Sequence, residues 1–185
     1  IAYVSLGSQR YKVERAWTQA DISSVTSVAV LTDGRIAALL RRPACVLVLA
    51  PDGQVSARWS LEDVLCPHHI SARPQGGVLV TDLDGHQVLA LDAQGHEQWR
   101  LGKPEQPRWQ EPFNHPTHAV ECGDGGLGVS DGYGNTVVHR FDPQRQWLAA
   151  LGAPGSGPLQ FSTPHMLACA ADGSVWVADR ENNRV

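Results

Sequence analysis

Long apolar runs are missing from this 185-residue chain. No stretch approaches the roughly 18 consecutive apolar residues that cross a bilayer as a helix, so no membrane partner is expected. Concentrated positive charge is missing too. The 15 Lys and Arg residues are scattered, and against 19 Asp and Glu they leave a formal charge of -4. A nucleic-acid surface needs a clustered positive field, so no nucleic-acid partner is expected either. Cysteine is scarce. Cys45, Cys66, Cys122 and Cys169 include no pair at CxxC spacing, which excludes a zinc ribbon or a thioredoxin-type motif. Three of the four sit in or beside apolar runs, where cysteine packs as a small hydrophobe, and free thiols are expected rather than disulfides.

What the chain has in quantity is turns. Its 18 glycines and 12 prolines punctuate short apolar runs, the composition of many short strands joined by tight turns. With 42% apolar residues it can bury one core. One frame recurs. Pro67 precedes Asp82 by fifteen residues, Pro116 precedes Asp131 by fifteen, and Pro164 precedes Asp179 by fifteen. The prolines are 49 and 48 residues apart. An earlier copy, Ser27 to Gly53, keeps the strands and turns but lacks the proline. Each unit reads as four short strands, in the second unit near His68–Ala72, Val78–Asp82, Gln87–Leu91 and Glu97–Leu101. Asp-Gly pairs at Asp33, Asp52, Asp124 and Asp172 mark turns between them.

Units of about 45 to 50 residues with four antiparallel strands are the signature of a β-propeller, one blade per unit. A β-sandwich gives no reason for a fixed spacing repeated three times. The expected fold is therefore all-β, a propeller with blades near residues 22–60, 65–102, 113–152 and 161–185. About three and a half blades are present, and the expectation is part of a six-bladed ring, because an unfinished ring exposes strand edges. Lys103–Pro112 and Ala153–Pro158 are Pro/Gly-rich and polar, and are expected as surface loops. Tyr11–Trp17 alternates apolar and polar residues, the period of a half-buried strand, and is expected to close a blade as an outer strand.

Chain direction decides which side chains can meet. If strand one runs down the central channel and strand two runs back, the start of one and the end of the other share an end of the blade. His68, His165, Tyr133, Arg180 and Arg41 are then expected to look out of one face near the axis. At the position after the proline, blades two and four carry His68 and His165, while blades three and one carry Thr117 and Thr26. In a six-bladed ring, imidazoles from alternate blades would converge and leave one position open, the arrangement of a catalytic zinc. Each histidine can equally cap a turn or pack at a strand start. Arg41 and Arg180 suit a carboxylate through paired hydrogen bonds, or can bridge to an Asp of the next blade. Tyr133, between glycines in SDGYGN, suits a general base beside a metal and two arginines, or a packing or stacking residue. His69, His86, His96, His115, His118 and His139 show no repeat-related partner and read as surface or turn histidines, with His118 adjoining the functional face.

These residues carry a resemblance. CPHHI (Cys66–Ile70), FNHPTHAV (Phe113–Val120), VSDGYGN (Val129–Asn135), GSGPLQFSTPHMLA (Gly155–Ala168), VADRENNRV (Val177–Val185) and GSQRYKVERAW (Gly7–Trp17) resemble NHL-repeat propellers. Within that class they look like the peptidyl-α-hydroxyglycine α-amidating lyases and their bacterial relatives. The resemblance implies a six-bladed ring, a zinc held by three histidines, a calcium inside the channel, and cleavage of a peptidyl-α-hydroxyglycine to a peptide amide and glyoxylate. It implies that His68 and His165 are two of the zinc ligands, that Tyr133 is the base, and that Arg180 and Arg41 are active-site arginines, with Arg42 the fallback for Arg41. The third histidine is expected in a last blade outside this sequence. Some positions depart from the family pattern: Gly134 stands for a cysteine, His69 for a glycine, His118 for Asp or Asn, and Arg41-Arg42-Pro43 for an Arg-Gly pair. The expected partner is a small peptide or carboxylate-bearing substrate. Two functions stay open, a metal-dependent lyase and a non-catalytic propeller that binds a peptide or protein on the same face.

Overall fold

The structure, a computed structural model, describes residues 2–185. A hairpin of β1 (Ala2–Leu6) and β2 (Gln9–Val13) comes first. Blade one is the sheet of β3 (Val25–Val30), β4 (Ile36–Arg41), β5 (Ala44–Leu49) and β6 (Val55–Ser60). Blade two holds β7 (Pro67–Ala72), β8 (Val78–Asp82), β9 (Gln87–Leu91) and β10 (Glu97–Gly102). Blade three holds β11 (His118–Glu121), β12 (Leu127–Asp131), β13 (Val137–Phe141) and β14 (Trp147–Leu151). A short parallel pair, β15 (Ala153–Pro154) and β16 (Gln160–Phe161), leads into the hairpin of blade four, β17 (Pro164–Cys169) and β18 (Val175–Asp179). In each four-stranded sheet the strands pair antiparallel in sequence order, the meander of a propeller blade. Among the described residues no helix is long and apolar enough to cross a bilayer.

The turns form for a local reason. The carboxylates of Asp33, Asp52, Asp124 and Asp172 each accept the backbone N–H two residues on, at 2.8–3.0 Å, which closes an Asp-Gly turn without help from the rest of the chain. Packing then uses both faces of a strand. Val78 and Val80 of β8 face the core shared with blade one, while Leu79 faces the core shared with blade three. Leu89 and Leu91 of β9 likewise oppose Val88 and Ala90. Strands buried on both faces read as continuous apolar runs, as VLVTD and QVLAL do.

The fifteen-residue spacing has a physical cause. It is the hairpin register that sets Pro67 opposite Asp82 and Pro164 opposite Asp179. From there each buried carboxylate reaches back to the chain entering its own blade. Asp82 accepts from the amides of Leu65 and Cys66, at 3.0 and 2.7 Å, and from the Gln87 side chain. Asp131 accepts from the Asn114 amide, the Asn135 side chain and His139. Asp179 accepts from the Ser162 amide, Asn182 and Arg184. Buried carboxylates persist only when paired or hydrogen-bonded in this way. Blade one, which lacks the proline, also lacks the carboxylate, because Leu40 pairs with Val25 at the same register.

Three expectations are corrected. The N-terminal strand is Gln9–Val13 rather than Tyr11–Trp17; among the described residues it pairs only with β1, is mostly exposed, and closes no blade. Trp17 lies beyond it and packs against the blade-one cluster of Ala38, Leu40, Cys45, Leu47 and Leu49, its indole N–H donating to the Pro51 carbonyl at 3.0 Å. The cysteines are not all free. Cys122 and Cys169 form a disulfide that joins the inner strands of blades three and four, leaving Cys45 and Cys66 as thiols. The two lie 47 residues apart in sequence, so only the stacking of blades brings them together. The stretch Ala153–Pro158, expected as loop, contributes β15 to a parallel pair.

Candidate active site

The ladder of β7 places Pro67 opposite Asp82 and His69 opposite Thr81, so His68 is an extra residue between them. In β17, His165 is the extra residue between Pro164 and Met166. A bulged residue leaves the strand's alternation and its side chain is re-aimed. Here two bulges aim two imidazoles at each other, with ring centroids 5.1 Å apart. The His68 Nδ1–H donates to the Thr117 carbonyl of blade three at 2.8 Å. Only a protonated Nδ1 can do this in the neutral ring, so Nε2 carries the lone pair.

Both imidazoles are held neutral. Burial lowers the pKa of His68, assisted by the Arg41 and Arg180 cations and opposed by the Thr117 bond. Burial first, then His68 and Arg180, takes His165 down to about 4. Tyr133 sits against both rings, with centroids 5.6 Å from each. Its hydroxyl lies 3.0 Å from His165 Nε2 and accepts from Arg180 Nη1 at 3.0 Å. The guanidinium donates to the hydroxyl oxygen, and the direction of the bond between the hydroxyl and Nε2 follows the His165 tautomer. Arg180 also pairs with Glu181 at 2.9 Å and lies over the phenol ring. The glycines beside Tyr133 are there for space: a Cβ on Gly132 would collide with the Pro164 carbonyl, and one on Gly134 with Asn114.

Arg41 reaches the same group from blade one. Its Nε and Nη2 donate to the Pro67 carbonyl, at 3.3 and 3.4 Å, immediately before His68. Neither arginine bridges to an Asp of the neighbouring blade. The structure thus brings His68, His165, Tyr133 and Arg180 into direct contact and sets Arg41 beside His68, while Arg42 is exposed. The pair of imidazoles suits zinc in two respects. Both are neutral, the form that ligates a metal, and two imidazoles on one tetrahedral ion stand about 5 Å apart, ring to ring. Among the described residues no third His, Cys, Asp or Glu completes a metal-binding group.

Several histidines are placed otherwise than the sequence suggested. His139 is fully buried and bonds Asp131 at 3.1 Å, which makes it part of the blade's structure. His86 sits in a turn, as read from the sequence, but is buried there, accepting the His115 amide at its Nδ1. His69 and His118 stack edge to face, 4.2 Å apart, and His118 Nδ1 accepts the Leu167 amide of blade four at 3.0 Å. Burial, then neighbouring imidazoles, lowers His69 to about 4 and His118 to about 3. A signal for this pair was present: each stands two residues after its blade's proline, Pro67 or Pro116. His96 is exposed, as read from the sequence.

Sheet order, repeat and register define a β-propeller, seen over three four-stranded blades and the inner hairpin of a fourth. No protein-family model matches the chain. Among proteins of known identity it resembles the amidating lyases. It is 37% identical over 150 residues to peptidylglycine alpha-amidating monooxygenase of Rattus norvegicus, covering 76% of this chain and 15% of that protein. It is 35% identical to a probable peptidyl-alpha-hydroxyglycine alpha-amidating lyase of Caenorhabditis elegans, covering 64% of this chain and 35% of that protein. NHL repeat-containing protein 3 of Mus musculus is 31% identical over 76% of this chain and 44% of its own length. The chain therefore spans less than half of each relative's length. A streptogramin B lyase structure superposes with a TM-score of 0.69 over 92% of this chain and 56% of that one, at 14% identity, a likeness of fold alone.

Proposed function

We propose that this propeller face is a metal-dependent lyase site that cleaves a peptidyl-α-hydroxyglycine to a peptide amide and glyoxylate. The observation that carries the reading is the Tyr133 hydroxyl held between the Arg180 guanidinium and the His165 imidazole, 3.0 Å from each. His68 and His165 would hold the zinc, with further positions filled from outside this sequence or by water. Bound there, zinc would supply a Lewis acid that polarises a substrate oxygen.

The reaction moves one proton and breaks one bond. The substrate hydroxyl gives up its proton, the carbon–nitrogen bond breaks as that oxygen becomes the aldehyde of glyoxylate, and the amide nitrogen gains a proton. No oxidant or reductant is needed. Tyr133 is the proton acceptor for the hydroxyl, its oxygen lying 3.0 Å from both Arg180 Nη1 and His165 Nε2. Arg180 and Arg41 would face the substrate carboxylate, which guanidinium forks bind through paired bonds.

The test is glyoxylate release from an α-hydroxyglycine peptide with zinc supplied. Release that is lost in Tyr133→Phe, while zinc binding persists, supports the reading. A protein that binds no zinc and releases no glyoxylate overturns it, and the same face is then a peptide- or protein-binding platform.

A further inference from the structure

We infer that Thr117 is a positioning residue that, from blade three, holds the imidazoles of the two flanking blades in one register. The inference rests on the reading of His68 and His165 as a metal-binding pair. Thr117 occupies in its own blade the position that His68 and His165 occupy in theirs, and its side chain is fully buried. Its backbone N–H donates to Ser130 O at 2.8 Å, which fixes it to blade three. From that fixed point it acts in both directions.

Towards blade two, the Thr117 carbonyl accepts the His68 Nδ1–H at 2.8 Å, which sets both the ring's orientation and its tautomer. Towards blade four, the Thr117 hydroxyl lies 3.0 Å from the carbonyl of Pro164, the residue before His165. The same hydroxyl lies 2.8 Å from Ser130 Oγ and 3.1 Å from Ser130 O. A hydroxyl has one proton to give. Thr117 donating to Pro164 while Ser130 donates to Thr117 uses each proton once and spans the blade boundary. The carbonyl before His68 is gripped in the equivalent way, by Arg41 from blade one. Each imidazole is thus anchored through the peptide that precedes it, and Thr117 bonds toward both, by its carbonyl to the His68 ring and by its hydroxyl to the Pro164 carbonyl. The role belongs to Thr117 and not to the repeat position, because in blade one Thr26 bonds the Leu39 carbonyl of its own blade while Arg41 holds the Pro67 carbonyl.

Thr117→Val keeps the carbonyl and the shape but removes the hydroxyl, and Thr117→Ser keeps both bonds. The chain would be labelled with 15N at histidine, and its imidazole nitrogens followed by two-bond 1H–15N spectra during titration with Zn2+. Zinc affinity is expected to fall about tenfold or more in Thr117→Val and to be restored in Thr117→Ser, with the His68 Nδ1–H signature kept in both. Leu127→Ala, which cuts the core of the same blade away from the site, is expected to lower Tm without changing zinc affinity. A Thr117→Val protein that titrates like wild type, or an equal loss in Leu127→Ala, overturns the inference. A wild-type chain whose spectra ignore Zn2+ refutes the metal reading instead. The metal-free spectra then decide the inference: Thr117→Val must shift the His165 ring nitrogens and Thr117→Ser must not.

Discussion

Mild acid should destabilise this protein through histidine before its carboxylates titrate. In the folded chain His118 is 5% exposed and stays neutral down to about 3, with burial the main cause and His69 the next. His69 stays neutral down to about 4 for the same reason. In the unfolded chain both return to about 6.5. The folded state therefore binds fewer protons across this window. Its stability is intact above pH 6.5 and is lost as pH falls toward 4. One histidine whose folded pKa lies well below 5 removes about 2 kcal/mol between pH 7 and pH 5. His118 should contribute that in full, and the partly open His69 and His165 less. Against a total of about 5–15 kcal/mol the loss is large enough to measure. Urea unfolding at pH 7, 6 and 5 reads it directly. His118→Asn keeps an acceptor for the Leu167 amide but cannot titrate, so its pH dependence should be shallower by about 2 kcal/mol over the same range. Equal midpoints for wild type at pH 7 and pH 5, or equal slopes for the two proteins, would refute the burial argument.

Asp131→Ala leaves the Asn114 amide, Asn135 and His139 without their shared acceptor, and should cost about 3 kcal/mol in urea unfolding; a cost under about 1 kcal/mol would show that the carboxylate is not what ties the loop to the sheet. Unfolded but unreduced protein should expose two reactive thiols, Cys45 and Cys66, out of four cysteines. Reduction should then lower stability by about 4 kcal/mol through the released loop entropy, and a count of four thiols before reduction would remove the Cys122–Cys169 bond from the account. Leu79→Ala, in the core between blades two and three, should cost about 2–5 kcal/mol, measured by the same unfolding curves, and a neutral result would contradict the shared core.

The sequence by itself determined the strands, their turns and the blade as a unit. These are local: an Asp binds the amide two residues on, an apolar run is buried on both faces, and a fifteen-residue hairpin register repeats. It also pointed to His68, His165, Tyr133, Arg41 and Arg180, because position within a repeat fixes which end of the blade a residue occupies. Tertiary structure decided what each of them touches. Arg41 meets the Pro67 carbonyl, Tyr133 meets His165, and Cys122 meets Cys169, and none of these pairs lies within one blade. The stack of His69 on the buried His118 crosses two blades in the same way, whereas His139 is buried against Asp131 within one blade. A side chain's burial depends on the face that the neighbouring blade covers, or on the carboxylate that the fold buries beside it. Repeat position carries the first of these only when equivalent residues are compared across blades, and the second is settled by packing.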